Sequence, residues 1–285
     1  MINGVTPKIK RLRLLAAALG ASILGACGGS GSHIDVGLPA ARSVFLIVME
    51  NKSAAEALGG QFTASLADRY GVASNYRAIG HPSVPNYLAL TSGSTWGITD
   101  DSYHALPKQD LGTQLTTAGI AWRAYMEGLG RGGCLQSPVP YDPGHNPFAF
   151  YGGACPPNVV PLTALAADLG DAAKTPRFSW ITPDMCHDTH NCPVATGDQW
   201  LRQTVGQITS SAAWNNHGVL FVTWDEDDGS STNQVLTLVV AQGLPHRESL
   251  KRYDHYSLLA TVEDLLGVGR LGAAARAQAM SDLVA

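Results

Sequence analysis

Two polar residues, Glu50 and Asn51, directly follow a run of six apolar residues from Val44 to Met49. A short, continuous apolar run predicts a strand that is buried on both faces. Carboxylate and amide oxygens at the end of such a strand are ligands that hard cations prefer. The alternative is that the strand ends in solvent and that Ser53 caps the next helix.

A second acidic group follows another apolar run, in the sequence WDEDDG at residues 224–229. Neighbouring carboxylates repel one another and raise each other's pKa unless a cation lies among them. An acidic turn in water is the simpler interpretation of this motif alone. Together with Glu50 and Asn51, however, Asp225 and Glu226 predict a site for a hard cation.

A serine between two prolines is the third chemical feature. Ser83 lies in HPSVPNYLALTSGS, residues 81–94, just before a predicted helix start at Asn86. N–H groups at a helix N-terminus stabilise negative charge, so a hydroxyl held there is well placed to be a nucleophile. The other interpretation is a capping serine in a proline turn.

Five of the nine histidines fall within these motifs or beside other polar segments. Imidazole exchanges a proton near neutral pH and also binds metals. A single histidine is more often a core or surface residue, but a group of them beside acidic strand ends indicates a site. The five are His81, His145, His187, His190 and His255.

Short apolar strands that alternate with helical patterns would position these residues. Strands are predicted at 43–49, 177–182, 218–224 and 234–241, and helices at 54–69, 198–210 (with Asp198 as its cap) and 256–266. The alternation predicts an α/β fold, a three-layer α/β/α sandwich with a mostly parallel sheet. Ligands bind beyond the carboxyl ends of such strands. Chemical residues follow three of these ends, at 50–51, 184–192 and 225–228.

The first 26 residues are typical of a lipoprotein signal peptide. Four basic residues precede the apolar stretch LLAAALGASILGA, which is too short to span a membrane. Cys27 is then the expected site of lipidation, 27–40 a flexible linker, and 41–285 one domain. This predicts an exported protein, lipid-anchored in the bacterial cell envelope. A plain secretory signal with an incidental cysteine is the alternative.

Four further cysteines remain, an even number that suggests two disulfides in an oxidising compartment. Three connectivities are possible, and closeness in sequence favours Cys134–Cys155 and Cys186–Cys192. A Cys/His zinc site in CHDTHNC, residues 186–192, is the competing interpretation, although its spacing is unusual for zinc. The first bridge would pin a long Gly- and Pro-rich loop at 128–162, of a length that is often functional.

The charge of the chain argues against a nucleic-acid partner. Residues 1–26 carry four of the 19 Lys and Arg and none of the 23 Asp and Glu, so without them the formal net charge falls from −4 to −8. Binding to nucleic acid needs a basic surface. An anionic substrate would instead require a metal ion to neutralise it.

The order of the motifs resembles the bacterial phosphoesterase family that joins acid phosphatases and phospholipases C. The resemblance runs from about residue 43 to 267 and is greatest to short secreted acid phosphatases. It is carried by VMENKS, HPSVPNYLALTSGS, AYMEG, HNPF, PDMCHDTHNC, WDEDDG and YDHYSLLATVEDLLG. It implies an alkaline-phosphatase-like fold and a metal-bound hydroxyl nucleophile.

The resemblance also implies roles for individual residues. Ser83 matches the nucleophile, with Thr91, Ser92 and Ser94 as fallbacks. The expected metal ligands are Glu50, Asn51, Ser83, Asp225, Glu226 and Asp188, for one or two divalent ions of unknown identity. His190 and His255 are expected to be catalytic, and His81 and His145 to bind substrate. Asp184 and His187 stand where many relatives are expected to have Asn, so either could add to or replace a ligand.

These matches predict a phosphomonoesterase that forms a phosphoserine intermediate. Its expected partners are small phosphate monoesters or the head groups of phospholipids and phosphoinositides, reached through the lipid anchor. A phospholipase C is the first alternative, since the same core would serve both reactions. A non-catalytic surface lipoprotein with structural Ca²⁺ is the second.

Overall fold

The structure is a computed structural model that describes Met1 and residues 43–215 and 217–285. Residues 2–26 of the predicted signal peptide, the expected lipidation site Cys27 and the predicted linker at 27–40 lie outside the residues described. Within those residues, no helix combines the length and the apolar composition that crossing a membrane requires.

An eight-stranded, mostly parallel sheet forms the centre of the domain, with strand order β5-β4-β6-β1-β7-β8-β2-β9. Its members are β1 Ser43–Met49, β2 Gly71–Ala73, β4 Trp122–Met126, β5 Val159–Pro161, β6 Phe178–Thr182, β7 Gly218–Trp224, β8 Thr237–Ala241 and β9 Arg247–Ser249. Strand β8 runs antiparallel to both of its neighbours. A small second sheet pairs β3 Tyr76–Arg77 with β10 Tyr253–Asp254.

Helices cover both faces of the sheet, which makes the three-layer α/β/α sandwich predicted from the sequence. They are α1 Ala54–Ala57, α2 Gln61–Arg69, α3 Ser83–Ser92, α4 Leu111–Thr117, α5 Gly133–Gln136, α6 Leu165–Leu169, α7 Val194–Thr209, α8 His255–Leu266 and α9 Ser281–Val284. Helix α3 packs against α8 and α4, and helix α2 packs against α7.

The central strand β1 explains where the chemical residues meet. All seven of its residues are buried, as the continuous apolar run predicts, and it pairs in parallel with β6 on one side and β7 on the other. Because parallel strands end at the same edge of the sheet, the segments after β1, β6 and β7 become neighbours. The backbone joins them directly: Glu50 N donates to Asp188 O at 2.8 Å, and Asp225 N to Met49 O at 2.9 Å.

Several helix boundaries differ from the sequence prediction. The helix expected over 54–69 is two helices, interrupted before Gln61. Asp198 does not cap its own helix, which begins at Val194; its carboxylate instead accepts from Thr63 N and Phe62 N at the start of α2. The helix expected to start at Asn86 starts at Ser83, because a proline is tolerated in the first turn, where its missing N–H has no intrahelical acceptor to lose.

The segment at 128–162 is less irregular than expected, since it contains α5, β5 and two short 3₁₀ helices at Pro143–His145 and Pro147–Ala149. The structure joins Cys134 to Cys155 and Cys186 to Cys192, the two pairs favoured from the sequence. The competing zinc interpretation of CHDTHNC is therefore wrong in this structure, because both of its cysteines are in a disulfide.

Candidate active site

Ser83 is the first residue of helix α3, and its side chain is buried among carboxylates. Its Oγ lies 3.1 Å from Glu50 Oε2 and 3.3 Å from Glu226 Oε1, in hydrogen-bond geometry with both. A hydroxyl has one proton and can donate to one of these oxygens at a time. Ser83 thus lies between the residue that follows β1 and a residue that follows β7.

Asn86 fixes the chain that leads into Ser83. Its Oδ1 accepts from Ile79 N at 2.9 Å and Gly80 N at 3.1 Å, and its Nδ2 donates to Pro82 O at 3.1 Å. Since Asn86 is fully buried, these bonds also satisfy its own polar atoms. The sequence marked this residue only as a helix start, whereas the structure shows it holding the turn before the serine.

Asn51 ties the end of β1 to the acidic pair after β7. Its backbone has φ of 47°, in the left-handed region that Asn tolerates better than most residues. In this conformation its N–H donates to Asp225 Oδ1 at 3.2 Å, and its Nδ2 donates to Glu226 Oε1 at 3.0 Å. The structure therefore brings Glu50, Asn51, Asp225 and Glu226 together, as the resemblance implied.

Burial and mutual repulsion raise the pKa of three carboxyl groups in this cluster. Burial raises the pKa of Glu50 well above its usual value, and the charges of Asp225 and Asp188 raise it further. Burial and the charge of Glu226 raise the pKa of Asp225 to about 7. The pKa of Glu226 is also raised, again mainly by burial. Such a cluster is unfavourable by itself, unless a positive charge is placed among the carboxylates.

The same cluster contains buried oxygens that lack donors. Within residues 43–215 and 217–285, Asn51 Oδ1, Asp225 Oδ2 and Asp188 Oδ2 have no hydrogen-bond partner and almost no contact with solvent. Buried polar atoms normally have hydrogen-bond partners, so three buried oxygens without partners in one cluster need an explanation. Carboxylate and amide oxygens are hard-cation ligands. These donor-poor oxygens, which belong to three of the six predicted ligands, fit a divalent cation.

His145 lies between two of the carboxylates and is buried. Its Nε2 is 3.4 Å from Glu50 Oε1, and its Nδ1 is 3.2 Å from Asp188 Oδ2. Burial lowers the pKa of His145, but Asp188, Asp142 and Asp225 together raise it more, and the net shift is upward. His145 therefore belongs to the cluster, on the side where the segment after β6 approaches β1.

Tyr87 supports both Glu50 and His145, a role that the sequence reasoning missed. Its hydroxyl donates to Glu50 Oε1 at 2.5 Å, and its ring stacks on His145 with centroids 5.5 Å apart. Burial raises the pKa of Tyr87, so the hydroxyl keeps its proton. Because residues four apart lie on one face of a helix, the spacing from Ser83 to Tyr87 was the signal that could have identified it.

The segment Asp188-Thr189-His190 approaches the cluster in a strained conformation. Thr189 has φ of 83°, which is unfavourable for a β-branched residue, and its Oγ1 donates to Glu50 O at 2.7 Å. Asp188 is fully buried, whereas His190 is exposed with its ring centroid 5.9 Å from that of His145. Such strain is typical of functional sites, and here it turns Asp188 inward and His190 toward solvent.

His81 lies at the other rim, next to Glu226. Its Nδ1 is 2.7 Å from Glu226 Oε2 and its Nε2 is 3.2 Å from Ser230 O. Burial lowers the pKa of His81, while these two acceptors raise it, and the net shift is upward. With acceptors on both ring nitrogens, the imidazole is suited to carry a positive charge beside the acidic cluster.

Comparison with known proteins identifies the family. The model of the phosphoesterase family matches residues 60–269, most of the chain. The chain belongs to the phosphoesterase family. It is 33% identical over 278 residues to the phosphatidylinositol-3-phosphatase of Mycobacterium tuberculosis, covering 95% of this chain and 91% of that protein. It is 28% identical over 250 residues to an acid phosphatase of Aspergillus fumigatus, where the match covers 80% of this chain but 55% of the fungal protein.

Solved structures show the same fold at low sequence identity. Murine ectonucleotide pyrophosphatase/phosphodiesterase 5 aligns with a TM-score of 0.63 at 10% identity, over 86% of this chain and 100% of that chain. A protein of the alkaline phosphatase superfamily from Vibrio parahaemolyticus aligns with a TM-score of 0.58 at 12% identity, over 81% and 67% respectively. The fold is thus alkaline-phosphatase-like, and the family membership makes the chain a hydrolase of phosphoric ester bonds.

His255, which the resemblance implied to be catalytic, contacts the backbone of the cluster. It is fully buried, with Nε2 2.6 Å from Asp225 O and Nδ1 2.9 Å from Tyr76 OH. Burial lowers the pKa of His255 to about 4, so the ring is neutral and donates from Nε2. Both ring nitrogens are therefore hydrogen-bonded, and in this structure His255 positions the backbone of Asp225.

The fallback nucleophiles lie at the opposite end of α3 from Ser83. Thr91 Oγ1 donates to Tyr87 O at 2.8 Å, and Ser92 Oγ donates to Leu88 O at 2.9 Å. Ser94 Oγ accepts from Trp96 N at 3.0 Å. Each hydroxyl is therefore used in the local structure around the end of α3, away from the acidic residues of the cluster.

A second group of acidic and histidine side chains includes Asp184 and His187, the two residues expected to be Asn in many relatives. Within the described part of the chain, Glu127, Asp184 and His187 place one ligand atom each within 4.8 Å of one another, which no other group of three His, Cys, Asp or Glu residues does. Its oxygens already have donors, however: Glu127 Oε2 accepts from Asp184 N at 3.1 Å and lies 3.0 Å from His187 Nδ1. The chain thus contains acidic and histidine groups able to hold a metal, and the donor-poor cluster around Ser83 is the stronger candidate.

Proposed function

We propose that this chain is a metal-dependent, acid phosphatase-like phosphomonoesterase in which Ser83 is the nucleophile. One observation carries the proposal: Ser83 Oγ lies 3.1 Å from Glu50 Oε2 at the start of a helix, beside buried oxygens without donors. A nucleophilic hydroxyl, a helix N-terminus and a set of oxygens suited to a cation are the parts that phosphoryl transfer requires. Membership of the phosphoesterase family supports the same reaction class.

The residues that would hold the cation are Glu50, Asn51, Asp225 and Glu226, together with the Ser83 hydroxyl. Bound there, a divalent cation would lower the pKa of the hydroxyl and neutralise charge on the phosphoryl group. Whether Asp188 and the nearby histidines hold a second ion is part of the same proposal. The support is that Asp188 Oδ2 is buried and makes no hydrogen bond among the described residues, with the His145 imidazole beside it, Nδ1 at 3.2 Å.

The protein's own groups then carry out two transfers. Ser83 Oγ loses its proton to a neighbouring carboxylate and bonds to phosphorus, while the ester oxygen leaves as an alcohol after receiving a proton. His190 is suited to supply that proton, because it is exposed beside the buried His145. Water then loses a proton and attacks the phosphoserine, the bond between phosphorus and the Ser83 oxygen breaks, that oxygen takes up a proton, and inorganic phosphate leaves. Ser83 N–H, at the N-terminus of α3, orients a phosphoryl oxygen during both steps.

The proposed substrates are phosphate monoesters, including phosphoinositide head groups. The support is the relative from Mycobacterium tuberculosis, a phosphatidylinositol-3-phosphatase of nearly the same length. We propose that His81 and His145 contact the substrate phosphate. We further propose that Cys27 carries the lipid that attaches the exported protein to the cell envelope. A Cys27→Ala variant should then lose fatty-acid labelling and be released from the membrane fraction.

Phosphate release from a panel of phosphoesters, with chelator and with each divalent metal added back, tests the activity. Wild-type protein should release inorganic phosphate, and Ser83→Ala should lower kcat by at least about 10³-fold, since a nucleophile has no substitute here. Ser210→Ala, which removes an exposed hydroxyl at the end of α7, is the matched control and should stay near wild type. Near-normal turnover by Ser83→Ala would reject the nucleophile, and release of phosphocholine instead of phosphate from a phospholipid would indicate a phospholipase C.

A further inference from the structure

A carboxylate from a distant loop caps the helix that carries Ser83. Pro82, at the N-cap position of α3, makes no side-chain capping bond. Instead Asp101, 17 residues after Val84, accepts from Val84 N through Oδ1 at 3.0 Å. A negative charge is favourable at this end of a helix dipole. Asp101 therefore fixes a negative charge one residue from the nucleophile.

The loop that carries Asp101 is attached at both ends, although Asp101 itself is exposed. At its start, Trp96 Nε1 donates to Ser92 Oγ at 2.9 Å. At its end, Leu106 N donates to Phe150 O at 2.7 Å. These contacts anchor the loop to the end of α3 and to the segment that follows His145, so the Asp101 charge has a defined position.

Asp101 also limits the donors that a substrate can use. The N–H groups of the first helical turn lack intrahelical acceptors and are the natural anion donors of a helix. Here Val84 N–H is occupied by Asp101, and Pro85 has no N–H. Ser83 N–H is left as the first-turn donor. One N–H donor suits a substrate with a single phosphoryl group better than one with several linked phosphoryl groups.

The other charged groups near Ser83 do not cancel the negative charge of Asp101. The Asp101 carboxylate lies close to the cluster, because it accepts from Val84 N, the residue directly after Ser83. Asp227 Oδ1 lies 3.6 Å from His81 Nε2, so His81 is already shared between two acidic residues. On the other side, Lys52 Nζ donates to Asn51 O at 2.9 Å.

We propose that Asp101 sets substrate charge specificity: it disfavours a second anionic group next to the reacting phosphate. The site would then take isolated phosphomonoesters, whose leaving group is uncharged, in preference to phosphoanhydrides such as nucleoside di- and triphosphates. This inference rests on the proposed phosphomonoesterase function. Asp101 acts through charge and through Val84, and it is a positioning and specificity residue.

The adenosine series AMP, ADP and ATP tests the inference, because hydrolysis at the terminal phosphate releases neutral adenosine from AMP but an anionic leaving group from the others. We expect wild-type kcat/KM to be greatest for AMP. Asp101→Asn keeps an acceptor oxygen for Val84 N–H but removes the charge. It should narrow the AMP-to-ATP ratio of kcat/KM by roughly five- to tenfold, the effect of one exposed like charge near the substrate.

Asp101→Ala separates the two roles, since it removes the acceptor as well as the charge. It should narrow the AMP-to-ATP ratio as Asp101→Asn does and, in addition, lower kcat on every substrate. Asp68→Asn, which neutralises an exposed carboxylate on α2, is the matched control and should leave the ratio unchanged. Because each ratio is measured within one variant, the folded fraction cancels.

The outcomes are distinguishable. If wild-type protein is active but Asp101→Asn keeps the wild-type ratio, the inference is wrong and the proposed function stands. The inference is also wrong if Asp101→Ala lowers kcat equally on all three nucleotides without changing the ratio, since Asp101 would then be a cap alone. If wild-type protein releases no phosphate from AMP or from 4-nitrophenyl phosphate with any divalent metal, the proposed function fails and this inference with it.

Discussion

Two buried aspartates show what separates a structural carboxylate from one that is suited to a cation. Asp198, on α7, accepts through Oδ1 from Thr63 N at 2.7 Å and Thr63 Oγ1 at 2.8 Å, and through Oδ2 from Phe62 N at 2.9 Å. Asp225, after β7, accepts through Oδ1 from Asn51 N at 3.2 Å, and its Oδ2 has no donor among the described residues. Both are buried, but only the first has its charge satisfied by N–H and O–H groups.

The difference lies in the neighbours of each carboxylate. Asp198 is surrounded by the amides of a helix start, and Gly60 leaves room for it, because a Cβ at Gly60 would lie 2.5 Å from Asp198 Oδ1. Asp225 is surrounded by other acids, which with burial raise its pKa to about 7. Hydrogen-bond donors surround the carboxylate of Asp198, whereas other carboxylates surround that of Asp225. That arrangement destabilises the cluster by itself and favours a cation.

The most direct test of the comparison is that Asp225→Asn and Asp198→Asn should have opposite effects on activity and on stability. Asp225→Asn should lower kcat by about 10³-fold, because it removes a proposed ligand, and should leave the chelated protein equally or slightly more stable, because one repelling charge is lost. Asp198→Asn should lower the free energy of unfolding by about 2–3 kcal/mol, because its amide NH₂ meets N–H donors. Phosphate release and urea unfolding measure the two effects.

The comparison would be wrong if the two variants behaved alike. Activity should be normalised to folded protein, so that Asp198→Asn retains near wild-type turnover per folded molecule. A large loss of stability in chelated Asp225→Asn would show that Asp225 is a structural residue. Loss of turnover in fully folded Asp198→Asn would show that α2 contributes to the site.

Much of the Asp225 region could be predicted from the sequence because its signals are local. Glu50 and Asn51 follow an apolar run directly, and Asp225 and Glu226 do the same. The same short segment therefore predicts both the end of a strand and the polar residues placed there. The parallel sheet then makes these ends neighbours. Family resemblance added Ser83, whose surroundings the pattern of prolines alone left open.

The role of Asp198 could not be read in the same way, because its partner Thr63 is 135 residues away. The same applies to His255, whose two ring nitrogens are oriented by Asp225 O and by Tyr76 OH. Spacing along one segment predicts which face a residue occupies. It does not predict which remote backbone atom meets a side chain, and that decides whether a polar residue is structural or chemical.

Metal removal should affect the two regions unequally. A ligand at 100 to 1,000 times its Kd stabilises the folded state by about 3–4 kcal/mol, which is a rise in Tm of roughly 6–15 °C for a domain of this size. We expect EDTA to lower the Tm of wild type and of Asp198→Asn by similar amounts. Asp225→Asn should show little change on chelation. Thermal unfolding with and without metal measures this.

An equal response of all three proteins to EDTA would contradict the assignment of the cation to the Ser83 cluster. In that case Glu127→Gln becomes the informative variant, because it alters the compact group of Glu127, Asp184 and His187. If chelation then loses its effect in Glu127→Gln, the stabilising ion belongs to that group.

Glu263 is an intermediate case and gives the smallest expected effect. It is fully buried on α8; its Oε1 accepts from Leu271 N at 2.7 Å, while its Oε2 has no partner among the described residues. Burial raises the pKa of Glu263 to about 8. With one donor instead of three, and few neighbouring acids, this carboxyl should be kept protonated in the folded state.

The raised pKa fixes the sign of the pH dependence. Between the unfolded pKa near 4.5 and the folded pKa near 8, the folded state binds a proton that the unfolded state has lost. This contribution is complete below pH 4.5 and decreases as pH rises, by at most about 1.4 kcal/mol per pH unit. Glu263→Gln, which imitates the protonated form, should equal wild type near pH 4.5 and become more stable than wild type by pH 8. Asp68→Asn should show no such divergence in urea unfolding, and parallel pH profiles for Glu263→Gln and wild type would mean that Glu263 is ionised in the fold and satisfied as Asp198 is.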